Sequence, residues 1–133
     1  MIDFFFPTEG MGSQTLRLVA EAGEGGGDAF EIARVCREIE LGNHESWEKA
    51  WTNKAEDTEA RAKKCLAEGH DRSAMKYFFA ANQYWRMADV FLRMDRNDEK
   101  AAYFRKSQEN FRAAAALHDP PIEVIEVKCG DET

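Results

Sequence analysis

Apolar residues recur along most of this chain at intervals of three and four, the period of one helix face, and the breaks between periodic stretches carry Gly or Pro. Ser13 is positioned to cap a short helix running to about Ala22, before the break Gly23-Glu24-Gly25-Gly26-Gly27. Four glycines in five residues favour no regular structure and predict a flexible connector. Asp28 with Glu31 has the spacing of a capping box, and Ala29, Ile32, Ala33, Cys36 and Ile39 keep the helical period up to Gly42. A third helix is predicted from about His44 to Glu68, with Trp47, Trp51, Ala55, Thr58, Ala62, Cys65 and Leu66 on one stripe and Gly69 as its stop. A fourth, capped by Asp71 and running to about Met94, is apolar on more than one face, from Ala74, Tyr77 and Phe78 to Tyr84, Trp85, Ala88 and Phe91. Such a helix is central and touched from several sides. A fifth, from about Asp98 to Leu117, presents Ala101, Phe104, Phe111 and Ala115, and Asp119-Pro120-Pro121 ends it.

The segment Ile122-Glu123-Val124-Ile125-Glu126-Val127 is β-branched and half alternating, which predicts a strand. One strand has no ladder, so its backbone groups need a sheet from a second copy of the chain or from other polypeptide. The expected fold class is therefore all-α: an antiparallel helical bundle of about five helices with a short C-terminal β-strand. Residues 1–12 read as an N-terminal arm whose triple Phe packs on something. Residues 13–118 form the helical domain, and 119–133 the Pro turn and the start of a strand.

At 133 residues the chain is the size of one domain, too short for a complete α/β enzyme of the common types. With 18 Lys and Arg against 25 Asp and Glu, its net charge of −7 opposes binding to phosphate backbones and anionic membranes. Nucleic acid and membrane are not expected partners. The charge is uneven. Residues 21–60 hold eleven acids and four bases, residues 61–112 seven acids and twelve bases, so acidic and basic helices are expected to lie side by side. Cys36, Cys65 and Cys129 are odd in number and widely spaced, which predicts reduced thiols and a cytoplasmic protein.

Catalytic constellations are missing. Ser13, Ser46, Ser73 and Ser107 all lack the Gly-x-Ser-x-Gly setting of a strained nucleophile turn. His44, His70 and His118 fall at helix ends, and no spacing suits zinc, a di-iron centre or any other cofactor. The glycine run has no following Gly-Lys-Ser/Thr and is not a phosphate loop. Glu56, Asp57 and Glu59 read as a solvated acidic face. Aromatic side chains are the strong signal: Trp47, Trp51, Tyr77, Tyr84 and Trp85 are candidates to line an apolar pocket for a hydrophobic or aromatic small molecule.

Several short motifs, in order, carry a resemblance. They are Trp47-x-x-x-Trp51-x-x-x-Ala55, Gly69-His70 with Ser73-Ala74, Ala80-Ala81-Asn82-Gln83-Tyr84-Trp85-Arg86-Met87-Ala88-Asp89-Val90-Phe91, then Ser107, Phe111 and Pro121 to Val127. Over residues 28–127 the chain resembles the N-terminal helical region of the α/β-hydrolases that include 2,6-dihydropseudooxynicotine hydrolase and the fungal hydrolases that shorten pigment polyketides. The resemblance implies a helical cap over a hydrolase domain, hydrolysis of C–C or ester bonds by a Ser-His-Asp triad, and a strand after the Pro turn that opens the hydrolase sheet. None of the triad residues maps onto this chain, and Lys128 stands where the family commonly has Pro. The expected partners are thus a small-molecule substrate and either the missing hydrolase domain or a second copy of the chain, as a homo-oligomer. Two alternatives stand beside this reading: a stand-alone helical small-molecule binder or cyclase-like protein, and a tetratricopeptide-like interaction module, suggested by Ala74, Phe78 and Ala81.

Overall fold

The computed structural model describes residues 5–7, 10–127 and 130. Five α-helices follow one another: α1 (Met11–Glu21), α2 (Ala29–Cys36), α3 (His44–Ala67), α4 (Asp71–Asp89) and α5 (Asn97–Leu117), with a π-helical turn at Ala22–Gly26. The all-α expectation holds and the C-terminal strand does not. Residues 121–127 adopt no regular structure, and every one is exposed. The reason is the missing ladder: no other extended segment among the described residues offers a row of backbone partners.

α4 lies at the centre, flanked along its length by α3 and α5. Trp47 donates its indole N–H to the Met87 carbonyl at 2.7 Å, while Ala62 packs with Ala74 at the far end, so α3 and α4 run antiparallel. Gly69 closes α3. At φ 79° it takes the left-handed conformation that lets His70 N–H reach the Cys65 carbonyl at 2.8 Å and Gly69 N–H the Leu66 carbonyl at 3.1 Å. Asn82 ties α4 to α5, donating to both the carbonyl and the hydroxyl of Ser107 at 2.9 and 2.8 Å.

Several boundaries and faces differ from the sequence expectation. α1 begins at Met11, inside the expected arm, and Ser13 is no cap: its hydroxyl donates back to the Gly10 carbonyl. Residues 1–4 and 8–9 of the arm lie outside the described residues, but Phe6 is buried against Trp47. Asp28 does cap α2, accepting from Phe30 and Glu31 N–H at 2.9 Å each. α2 stops at Cys36, where tight i to i−3 bonds take over and turn Ile39 inward. α4 likewise ends at Asp89, with tight bonds at Val90 and Leu92, so that Phe91 can pack edge-on against Trp47. His70, not Asp71, occupies the N-cap position of α4.

The glycine run is no loose connector. It forms the π-helical turn and packs on α4, with Gly27 (φ 140°) against Tyr84. α5 departs most: Phe104 and Phe111 are 55 % and 41 % exposed, whereas Ser107, Asn110, Ala114 and Ala115 face inward. Polar bonds select that face. Glu59 is not part of a solvated acidic face, as Glu56 and Asp57 are. It accepts from the Trp85 indole at 2.9 Å and Asn110 at 3.0 Å, and it pairs with Lys63. Burial alone would raise the Glu59 carboxyl, but the hydrogen bonds from Lys63, Asn110 and Trp85 outweigh it and hold the group below the ordinary carboxylate value. Glu48 behaves alike: burial opposes ionisation, and bonds from Arg96 (2.6 and 2.9 Å) and Tyr103 (2.9 Å) overcome it.

Three outcomes follow. Glu59→Ala leaves the Trp85 and Asn110 donors without their acceptor and is expected to lower unfolding free energy by about 1–3 kcal/mol in urea titrations. Because Glu48 and Glu59 have depressed folded values, their contribution is present above the unfolded carboxylate value of about 4.3 and is lost as pH falls through the folded values. Urea midpoints measured downward from neutral pH should therefore drop below about pH 4.3, and less steeply in a Glu48→Gln, Glu59→Gln double variant. Gly27→Ala would set a Cβ 2.7 Å from the Tyr84 hydroxyl at a φ that L-residues avoid, and should cost about 1–3 kcal/mol by the same titration.

Candidate functional site

Four of the five aromatic candidates lie in the core. Trp47, Trp51 and Tyr84 are wholly inaccessible and Trp85 is 1 % exposed. Trp47 packs on Trp51 (ring centroids 5.8 Å apart), and Trp51 on Tyr84 (5.6 Å). Trp85 lies against Tyr103 at 5.5 Å with the Lys106 ammonium 4.2 Å above its ring. These contacts follow from i, i+4 spacing, which puts Trp47 and Trp51 on the side of α3 that faces α4. Tyr77 alone among the five is half-buried and reaches a surface concavity.

That concavity is a groove of about 520 Å³. Its floor is the first half of α4, with Ser73, Lys76, Tyr77 and Ala80 on one helical face, and its walls are the glycine turn and the first two turns of α2. Two conditions hold the walls in place. The glycine backbone fits closely against Tyr84, where a side chain would collide, and the Tyr84 hydroxyl accepts from Asp28 N–H at 3.4 Å. Burial pushes that phenol well above its ordinary value, so it stays a neutral hydroxyl.

Two acids and two bases line the groove. The Asp28 carboxylate caps α2 through Oδ1, and Glu31 pairs with Lys54 through Oε2 at 2.7 Å instead of completing a capping box. Lys54 also sits 5.6 Å from the Tyr84 ring centroid. Arg34 and Lys76, by contrast, enter no ion pair or side-chain hydrogen bond among the described residues, and the hydroxyls of Ser73 and Tyr77 have no hydrogen-bond partner there.

Two further concavities differ from the groove in their lining. One of about 550 Å³ between the start of α3 and the α4–α5 turn contains the Glu48–Arg96 and Arg93–Asp95 pairs, which neutralise each other. The other, about 360 Å³, is a cleft lined by Arg37 and the apolar Phe5, Phe6, Pro7, Cys36, Ile39 and Leu41. Burial pushes the Cys36 thiol up to about 11, against a weaker opposing bond with Thr15, so it is a poor nucleophile. Cys65 is likewise a free thiol, while Cys129 lies outside the described residues.

His44 stacks on Phe91 at 4.7 Å, His70 precedes α4, and His118 bonds the Pro120 carbonyl, so none lines the groove. No cluster of three metal-ligating side chains occurs among the described residues, and no helix there is long and apolar enough to cross a membrane. Of the residues that line this groove, the sequence analysis singled out Tyr77 as a pocket candidate but not Arg34, Ser73 or Lys76. Their signal was the glycine run, whose value lies in close packing on α4.

No protein-family model matches the chain, and no solved structure matches it. Curated proteins do. The chain is 27 % identical to the hydrolase acrC of Aspergillus aculeatus over 92 % of its own length and 27 % of that protein. It is 27 % identical to the 20-hydroxy-prefusarin hydrolase FUS2 of Gibberella moniliformis, again over 92 % of the chain and 29 % of the relative. A third likeness, 25 % over 86 % of the chain and 24 % of the relative, is to the alpha/beta hydrolase ucsC of an Acremonium species. Along most of its length, then, the chain is related to fungal hydrolases, and it spans less than a third of theirs.

Proposed function

We propose that residues 13–118 are the helical cap of an α/β-hydrolase, forming one wall of a substrate pocket for hydrolytic C–C or ester cleavage while the triad resides on other polypeptide. In this reading the glycine groove is the substrate wall. Tyr77 meets the substrate directly, and Trp47, Trp51, Tyr84 and Trp85 fix the shape of the wall from behind. The observation that carries the proposal is the extent of the likeness: nearly the whole chain aligns with less than a third of proteins named as hydrolases. A second feature supports it. Ile122, Val124, Ile125 and Val127 are all exposed on a segment without regular structure, with apolar surface and backbone groups that a sheet edge would cover.

Hydrogen exchange tests the proposal on the chain alone and on the same chain carried into a hydrolase domain by its natural reading frame. Amides of residues 122–127 are expected to exchange freely in the first and to be protected in the second. Val124→Asp with Val127→Asp should leave the melting temperature of the helical part unchanged and abolish that protection together with ester hydrolysis. Equal, fast exchange in both proteins, or a reading frame with no hydrolase domain and no capture of one in trans, would overturn the reading.

A further inference from the structure

α5 carries an apolar surface that the described residues leave open. Ala101, Phe104, Gln108 and Phe111 recur at intervals of three, four and three, the spacing of a helix-pairing seam, and all four are exposed on a helix whose other side already meets α4. This seam is continuous with the glycine groove. Phe111 meets Phe79 edge-on at 5.8 Å, and the half-buried Phe79 ring lies beside Gly25 of the turn that walls the groove. Toward the end of α5, Ile122 N–H donates to the Ala115 carbonyl at 3.0 Å. The exposed segment 122–127 therefore leaves the helix beside Ala115, about 6 Å of axis beyond Phe111.

Charge separates the occupants that could cover the seam. Arg105 and Arg112 flank it in the e positions of the heptad and enter no ion pair among the described residues, and Glu109, on their outer side, enters none either. A second copy laid antiparallel on the seam would bring e positions together, Arg105 against its own counterpart, and laid parallel it would bring Lys100 and Ser107 to them. Neither alignment sets an acid against the arginines across the seam. The relatives point to another occupant: the chain matches 27 % of acrC and 29 % of FUS2, and the greater part of each is polypeptide that this chain does not contain.

We infer that the Phe104–Phe111 face of α5, extended by Phe79, is where the hydrolase domain docks, through an apolar surface edged with carboxylates that meet Arg105 and Arg112. The inference rests on the cap reading and adds to it which side of the helical layer is covered. A domain seated there takes up residues 122–127 at one end of the seam and overhangs the glycine turn at the other, so one interface both anchors the cap and brings the groove to the catalytic side.

Hydroxyl-radical footprinting reads the two rings directly, on the intact 133-residue chain and on the same chain carried into a hydrolase domain by its natural reading frame. Oxidation of Phe104 and Phe111 is expected to be fast in the first and several-fold slower in the second, while Leu41, exposed between α2 and α3, keeps its rate. Phe104→Glu should leave the melting temperature of the chain alone unchanged, because that ring is open, and restore fast oxidation of Phe111 in the longer protein by setting a charge in the apolar contact. Arg105→Glu with Arg112→Glu should do the same, whereas Lys49→Gln, exposed on α3, should not. Equal rates at both rings in the two proteins, with residues 122–127 protected from exchange, would overturn the inference and leave the cap reading standing. Slowed rings without that protection do the reverse, since the face is then covered and the sheet edge is not. Sedimentation of the chain alone as a dimer that Phe104→Glu dissociates would overturn the inference in favour of a second copy. A reading frame with no hydrolase domain would remove the cap reading and this occupant together.

Discussion

A helix enclosed by neighbours on several sides has to hide whatever polar groups it carries, and α4 sets that problem for the whole molecule. The Trp85 indole points into the seam between α3 and α5, where an unmet donor would be costly. Glu59 from α3 answers it, and the same carboxylate holds Asn110, which brings α5 into register. A half-buried carboxylate shared by two neutral donors and one lysine is satisfied only in one arrangement of the three helices. The seam therefore specifies as well as stabilises, since sliding α5 by one turn would break the Asn110 bond to Glu59 and the Asn82 bonds to Ser107.

The same seam explains what could be read from the sequence. The existence and order of the helices were plain from apolar spacing, and α3 agrees to within a residue at its end, because it obeys local rules: a side-chain cap at Asn43, one buried stripe and a Gly stop. α5 obeys a non-local rule. Its inward face is chosen by Glu59, Asn82 and Glu48 on other elements, so a hydrophobicity pattern that ranks Phe104 and Phe111 above Ser107 and Asn110 points to the wrong side. Glu59 was obscure for the mirror-image reason. Its neighbours Glu56 and Asp57 are solvated, and only the position of Trp85 across the interface distinguishes it.

Aromatic residues were a sound guide to the core and a partial one to the site. Large rings at i, i+4 spacing on a long helix meet the adjacent helix, and burial of Trp47 and Trp51 follows from that geometry. The groove instead rests on the least conspicuous residues of the chain. Gly27 allows backbone to approach Tyr84 more closely than any side chain permits, and α2 with Arg34 lines the groove across from Lys76 on α4. No linear motif encodes such a pairing, since the two cations are 42 positions apart on elements joined through the turn.

The exposed segment Ile-Glu-Val-Ile-Glu-Val reads with the same spacing of acids in both directions. If two copies paired symmetrically about its centre, antiparallel alignment would set Glu123 opposite Glu126, and parallel in-register alignment would set each glutamate against itself. Both matches oppose like charges directly across a ladder, which disfavours them. Residues 122–127 thus carry their own deterrent to edge-to-edge aggregation, while a foreign strand with basic or neutral residues at those positions meets no such penalty.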